Sequence, residues 1–274
     1  MIDIFTLNCR GLSSPVRLTE VCNLVKQRKH NCDFLIALQE TKMEKLKHEH
    51  SKILEYENLS NVLVPSVGNS GGMMCIFPKN LKVSLIQQES NFQALRIIDH
   101  KTSVINCYIN PREYNLQNFT SFLETFRIPN MDSLYVLGDF NSIDPNDLNN
   151  RFTDIKSNDI RVLRHSKLQE IMNRLQVYDI AKVGKTIEHT HYDKRSQKHS
   201  RIDYVMSNCF ANIPLLSTIQ TSFSDHKMLH AFEIEVNNEG QSYWKMNEID
   251  LNDRALHCSK TAPHEPNCCD KLIK

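Results

Sequence analysis

The chain has 274 residues, 33 Lys and Arg against 32 Asp and Glu, a formal charge of +1 and 40% hydrophobic residues. Those values describe an ordinary globular protein and exclude collagen, a wholly disordered chain and a supercharged polypeptide. So even a balance argues against nonspecific adhesion to nucleic acid, which needs many cations facing phosphates, yet it leaves room for a local basic groove.

With only seven Gly and nine Pro, regular elements should dominate. Ile2 to Leu7 reads as an opening strand that stops at Asn8-Cys9-Arg10-Gly11. Ser14 can cap the following helix, Pro15 suits its first turn, and Leu18, Val21, Cys22 and Val25 recur on one face. Asp33 to Leu38 is a nearly continuous apolar run ending in Gln39-Glu40, which fits a strand buried on both faces. Closely spaced strands are expected at Val62 to Val64, Gly72 to Phe77, Val83 to Ile86, Ala94 to Ile98 and Val104 to Tyr108, which implies hairpins. A helix bearing Leu116, Phe119, Leu123 and Phe126 precedes a strand from Ser133 to Leu137 that runs into Gly138-Asp139-Phe140-Asn141. Leu168, Ile171, Met172 and Leu175 mark one more helix. The last strands are expected at Ile202 to Met206 and Leu229 to Val236, the latter with one face turned partly to water.

Too many neighbouring strands lack a crossover helix for a doubly wound parallel sheet, so the pattern predicts a two-sheet α/β sandwich with flanking helices. Residues 1–236 are read as one catalytic domain, 237–253 as a linker and 254–274 as a disordered tail. No apolar run exceeds five residues, against about 20 for a membrane span, and Met1-Ile2-Asp3 does not open a signal peptide. A soluble chain without a membrane partner is expected. Cys9, Cys22, Cys32, Cys75, Cys107 and Cys209 sit beside apolar neighbours without a paired Cys-x-x-Cys, which favours buried reduced thiols over a disulfide framework.

Acids, amides and His stand just after apolar strands: Asn8, Glu40, Asp139, Asn141, Asp203 and the Asp225-His226 pair. Each alone has an ordinary explanation as a turn or capping residue. Together they match metal-assisted phosphodiester hydrolysis. Glu40 offers the hard oxygen that Mg²⁺ prefers, Asp139 can orient and deprotonate a water, and His226 held by Asp203 can stay protonated against a developing negative charge. Asn8 and Asn141 supply hydrogen bonds without added charge. The P-loop, Gly-x-Ser-x-Gly and zinc-finger spacings are missing from the sequence, and His189/His191 and Cys268-Cys269 are poor zinc candidates. Between Lys185 and Arg201 lie five Lys and Arg, opposed only by Glu188 and Asp193. A solvated face is the common reading of such a run, but this one directly precedes Asp203, where its cations could track a nucleic-acid backbone and Tyr192 could stack.

The motifs Leu7-Asn8-Cys9-Arg10-Gly11-Leu12, Gln39-Glu40-Thr41, Asn106-Cys107-Tyr108, Gly138-Asp139-Phe140-Asn141, Arg201-Ile202-Asp203-Tyr204 and Ser224-Asp225-His226 together resemble the endonuclease/exonuclease/phosphatase superfamily. Within it, the Asn8-Cys9-Arg10-Gly11-Leu12 opening, the basic loop after Thr190, and Tyr243-Trp244-Lys245-Met246-Asn247 resemble the apurinic-type endonuclease domain of non-LTR (LINE) retrotransposon ORF2 or Pol proteins. The resemblance implies a DNase-I-like four-layer α/β sandwich, two mostly antiparallel mixed sheets flanked by helices, and Mg²⁺-dependent nicking of double-stranded DNA that leaves a 3′-hydroxyl. Mn²⁺ is the alternative ion. Glu40 would bind the metal with Asn8 and Asp225, Asp139 would align the water, Asn141 and Tyr108 would contact the phosphate, and Asp203 would hold His226. Tyr192, Lys194, Arg195 and Lys198 would serve DNA binding, and Thr190, Arg201 and Ser224 would support DNA binding or brace the side chains around the site. In an intact element the partners would be a reverse transcriptase domain and the element RNA, and the location nuclear; no other protein partner is required.

Two departures stand out. Repair-type relatives carry a carboxylate where Arg10 stands, and the family's Tyr-x-Pro-Asn is replaced by Tyr108-Ile109-Asn110-Pro111. The competing readings are an inactive or domesticated relic that binds DNA or protein, and a phosphoesterase acting on a lipid or inositol headgroup.

Overall fold

The computed structural model describes residues 2–30, 32–68, 70–110, 117–127, 132–149, 160–209 and 214–233. The expected linker, with Trp244, and the tail lie outside the described residues, as does Leu116. Strand β1 (Ile2–Asn8) leads through helix α1 (Pro15–Arg28) to β2 (Asp33–Gln39), then α2 (His48–Tyr56), β3 (Leu59–Val64), β4 (Met73–Pro78), β5 (Val83–Glu89), β6 (Phe92–Ile97) and β7 (Thr102–Tyr108). Helix α3 (Gln117–Thr125), β8 (Ser133–Asp139), a 3₁₀ turn at Pro145–Asn149, α4 (Ile160–Leu163), α5 (His165–Leu175), β9 (Tyr178–Asp179) and α6 (Ile180–Val183) follow. The order ends with β10 (His191–Asp193), β11 (Lys198–Ser200), β12 (Asp203–Ser207), β13 (Leu215–Ile219) and β14 (Met228–Phe232).

Two six-stranded sheets result, ordered β13-β14-β1-β2-β4-β3 and β5-β6-β7-β8-β12-β9. Both are mixed, with one parallel pair each, β1 with β2 and β7 with β8, and each parallel step is bridged by a helix, as parallel pairing requires. Alternation along the strands sorts side chains into three apolar layers. Ile4, Leu35, Leu95, Val104, Leu137 and Val205 fill the space between the sheets. Phe5, Leu7, Ile36 and Leu38 face outward against Leu18, Val21 and Val25 of α1. Ile105, Val136, Tyr204 and Met206 face outward on the second sheet against Phe119 of α3 and Leu168, Ile171 and Leu175 of α5. The result is the expected four-layer α/β sandwich.

Most elements fall where the patterning puts them, with informative differences. Ser14 occupies the cap position of α1 but makes no side-chain cap bond, so Pro15 in the first turn and the buried stripe carry that helix start. Strand β14 is buried from Met228 to Phe232, because it lies between β13 and β1; the alternation expected from Phe232 onward begins with a half-exposed Glu233, and residues 234–236, which carry the rest of it, lie outside the described residues. Helix α2 went unread because only His50 and Leu54 are buried on it. The six cysteines named above are free, four of them buried, with Cys32 and Cys209 half-buried.

Gly138 is fixed by a close approach. Its φ is +127°, and a Cβ there would lie 2.0 Å from the Cys107 carbonyl oxygen of β7. Gly138→Ala must therefore strain the backbone and part β7 from β8. The expected loss is at least about 2 kcal/mol in denaturant unfolding; a variant as stable as the parent would contradict this placement.

Candidate active site

Alternation that packs the inner core also aims polar strand ends into one place. On β8, Tyr135 and Leu137 face the inter-sheet layer, so Asp139 faces it too; on β12 the same holds of Val205 and Asp203, on β1 of Ile4 and Asn8, and on β7 of Val104 and Tyr108. Register completes the convergence, with Asp203 opposite Asp139 across one antiparallel pair and Tyr108 opposite Asp139 across the parallel one. Glu40 and Asn141 stand one and two residues past their strands, with φ of +49° and +45°. That left-handed backbone is uncommon for non-glycine residues, least so for Asn, and clusters at functional turns.

Asn8 joins the sheets: its Nδ2 donates to Glu40 Oε1 at 3.2 Å and to Asp139 Oδ2 at 2.8 Å. Its oxygen accepts from the Arg10 backbone N–H at 3.0 Å. Asn8 thus braces both carboxylates through its amide N–H groups, while its Oδ1 is engaged by the Arg10 backbone. Tyr108 Oη donates to Glu40 Oε1 at 3.0 Å, and Lys42 Nζ lies 3.4 Å from Glu40 Oε2. Burial works against the Glu40 charge, but Arg10 and these donors outweigh it and hold its pKa below the usual value. Asn141 donates to Asp139 through its backbone N–H at 2.9 Å and its side chain at 3.1 Å.

Burial and the neighbouring Asp203 charge push Asp139 up to about 7. Asp203 accepts from Thr190 Oγ1 at 2.6 Å and meets His226 Nδ1 at 2.9 Å. Burial opposes charge on His226, yet Asp203 prevails and raises its pKa to about 9. The arrangement sets a carboxylate that holds a proton near neutrality beside an imidazolium that persists well above it. Such a pair suits general-base activation of water and stabilisation of developing negative charge.

The basic segment is a β-hairpin rooted in this cluster. Strands β10 and β11 pair His191 with Ser200 through Asp193 with Lys198, and Lys194, Arg195 and Lys198 are exposed at its tip. Tyr192 is half-buried, its ring 4.7 Å from that of His199. At the hairpin base, Tyr192 N–H donates to the Asp225 carbonyl at 2.9 Å and Lys227 N–H to the Thr190 carbonyl at 2.7 Å.

The three residues expected either to support DNA binding or to brace the site, Thr190, Arg201 and Ser224, are engaged with partners inside the fold. Arg201 is 2% exposed, donates to Asp147 at 2.8 Å and Asp179 at 2.6 Å, and lies over the Tyr204 ring; its donors are turned into the fold, where no backbone phosphate can reach. Thr190 is buried and spends its hydroxyl on Asp203. Ser224 donates to the Asn8 carbonyl at 2.7 Å and accepts from His226 N–H at 3.1 Å, so it positions both.

The sequence reading missed other contributors. Arg10 places Nη1 3.2 Å from Glu40 and Nε 3.1 Å from Asp225. His191 packs its ring 4.6 Å from His226 and faces Asp225 at 3.7 Å. Behind the site, Gln39 donates to Thr6 at 2.9 Å and to Asn106 at 2.7 Å, tying the two sheets through buried amides. Asn110 lines a groove that begins at Tyr108 and includes Pro65, Ser70, Gly71 and Asn91.

The model of the Endonuclease/Exonuclease/phosphatase family matches residues 5–226, which include every residue of this cluster. The chain belongs to that family. Its members hydrolyse phosphodiester bonds and generally depend on a divalent metal. No curated protein sequence matches the chain significantly. Among solved structures, a variant of the 3′ phosphatase NExo from Neisseria bound to a product DNA hairpin is 19% identical, with a TM-score of 0.61 over 85% of this chain and 99% of that one. The 3′-5′ exonuclease NExo from Neisseria meningitidis is 19% identical, with a TM-score of 0.62 over 84% of this chain and 99% of that one. The endonuclease domain of TRAS1, a telomere-specific non-LTR retrotransposon, is 12% identical, with a TM-score of 0.58 over 84% of this chain and 96% of that one. At these identities the likeness is one of fold.

Arg201→Met tests this placement. Removing one partner from a buried ion-paired cluster typically costs about 3–5 kcal/mol, so the variant should unfold at clearly lower denaturant concentration. A variant of parental stability with weakened DNA affinity would assign Arg201 to the DNA surface.

Proposed function

We propose that this chain is a metal-dependent DNA endonuclease that nicks one strand of a duplex and leaves a 3′-hydroxyl, the end that primes reverse transcription in a LINE-type element. The observation that carries the reading is the hairpin. A cationic tip of Lys194, Arg195 and Lys198 is hydrogen-bonded through its base to Thr190 and Asp225, which flank the Asp203–His226 pair. A duplex held by that tip is presented to these side chains, and the tip's reach into a groove biases which site is cut. A reverse transcriptase domain and element RNA are the partners this role implies, in the nucleus.

The residues fit a hard divalent cation. The Arg10 guanidinium already lies between Glu40 and Asp225, which marks the spot as one that draws positive charge. Glu40 and Asp225 would hold Mg²⁺ or Mn²⁺, with Asn8 and Tyr108 fixing the Glu40 carboxylate; the ion, when bound, supplies polarisation of a phosphoryl oxygen. Asp139 takes the proton of the attacking water, and Asn141 and Tyr108 orient the phosphate. His226, kept charged by Asp203, donates to the phosphoryl oxygens as their charge grows. A second reading is processing of DNA 3′ ends, the activity named for NExo, whose fold this chain shares. Among the described residues no helix is long and apolar enough to cross a membrane.

A supercoiled plasmid discriminates. The parent chain should convert it to open circles with Mg²⁺ and not with EDTA, and Asp139→Ala and His226→Ala should each lose about a hundredfold or more in rate. Replacing Lys194, Arg195 and Lys198 together with Ala should flatten the salt dependence of DNA binding by up to about three units of log–log slope. Equal nicking by parent and both site variants would refute the assignment, and release of phosphate from 3′-phosphorylated ends without nicking would select the second reading.

A further inference from the structure

A second polar cluster lies on the outer face of the first sheet, at the far end of β1. Asp3 and Asn8 are five residues apart on one strand, a span of about 17 Å. Alternation that puts Asn8 inside puts Asp3 outside, with Phe5 and Leu7. His230 shares that outer face on the neighbouring β14 and stacks on Phe5 at 4.1 Å between ring centroids. His30 follows α1 and caps the same spot, its Nδ1 3.2 Å from both Asp3 carboxylate oxygens. Cys32 stands two residues further on, its thiol against Asp3; burial and the Asp3 charge push it up to about 12.

We propose that Asp3, His30 and His230 form a structural zinc site distinct from the catalytic centre, with Cys32, whose thiol lies outside the 4.8 Å grouping of the other three, drawn in as the fourth ligand when the ion binds. Three observations carry it. The donor atoms of Asp3, His30 and His230 all lie within 4.8 Å of one another, with His230 Nε2 3.5 Å from Asp3 Oδ2. In a tetrahedral site with metal bonds near 2.0–2.1 Å, ligand atoms stand roughly 3.4 Å apart. His230 is 3% exposed, and its Nε2 faces Asp3 Oδ2 at 3.5 Å without the geometry of a good hydrogen bond; a buried nitrogen so poorly satisfied is uncommon and costly unless something coordinates it. Asp3 is wholly buried, and its Oδ2 accepts from the His30 backbone N–H at 2.7 Å, the kind of outer contact that orients a ligating carboxylate.

The donor chemistry selects the ion. Two imidazoles, one carboxylate and a thiol suit Zn²⁺, whereas Mg²⁺ takes oxygen ligands. A closed set of four protein ligands leaves no open position, so the ion would staple β1, the turn from α1 to β2, and β14 without taking part in hydrolysis.

The test uses the full chain carrying Cys258→Ser, Cys268→Ser and Cys269→Ser, so that thiols elsewhere do not compete, stripped with chelator and titrated with Zn²⁺ or Co²⁺ alone. One equivalent should bind, raise Tm and, as Co²⁺, give a thiolate charge-transfer band. His226→Ala removes the two other candidate clusters among the described residues, both of which contain that residue, and should leave the Zn²⁺ response intact. His30→Ala should weaken Zn²⁺ binding at least about tenfold. Cys32→Ser, at a half-buried position, should keep the circular dichroism of the parent and lose the charge-transfer band. Absence of a Zn²⁺-dependent Tm rise, binding unchanged in both His30→Ala and Cys32→Ser, or loss of binding in His226→Ala would each overturn the proposal.

Discussion

Asn8 is the hinge of the site. One amide group at the end of β1 donates to Glu40 of its own sheet and to Asp139 of the other, and so holds two carboxylates in one pocket where burial would otherwise drive them apart or neutralise them. Everything else is arranged around that constraint. Tyr108 and Arg10 steady Glu40, Asn141 steadies Asp139, and Ser224 links the Asn8 carbonyl to the His226 backbone. The amide bridge of Gln39, Thr6 and Asn106 keeps the sheets in register just behind.

The same crowding sets the proton inventory. Asp139 and His226 both hold protons at higher pH than the unfolded chain would, Asp139 up to about 7 and His226 up to about 9. For His226 the stabilisation is present in full below about 6.5 and disappears as pH rises through 9, because the unfolded chain then binds fewer protons than the folded one. For Asp139 the raised value has the same sign, a cost that grows from about 4 and is complete above 7. Alkaline conditions therefore weaken the fold from the catalytic centre outward, and an ion between Glu40 and Asp225 would add positive charge where that centre is most acidic.

How much was legible depended on whether a residue's role is local. Asn8 and Asp139 end β1 and β8, Glu40 follows β2 and Asp203 opens β12; these residues announce themselves because a polar side chain stands where an apolar run begins or stops. The basic segment was legible from its charges alone, whereas its pairing into the hairpin of β10 and β11 was not. The role of Arg201 stayed open in the sequence because it follows a basic run, whereas its partners Asp147 and Asp179 are 54 and 22 residues away. Arg10 read as a mere departure until the fold put it between two acids. Gln39 and Asn106 are 67 residues apart, and Asp3, His30 and His230 lie on three elements; no spacing rule joins such residues, and only the sheet register does.

Catalysis in this pocket requires Asp203 to keep His226 charged. An NMR pH titration of the His226 imidazole in the metal-free parent and in Asp203→Asn tests that requirement. The imidazolium should persist to about 9 in the parent and titrate well below that once the carboxylate is gone. A His226 that titrates near the ordinary value of about 6.5 in both proteins would contradict it.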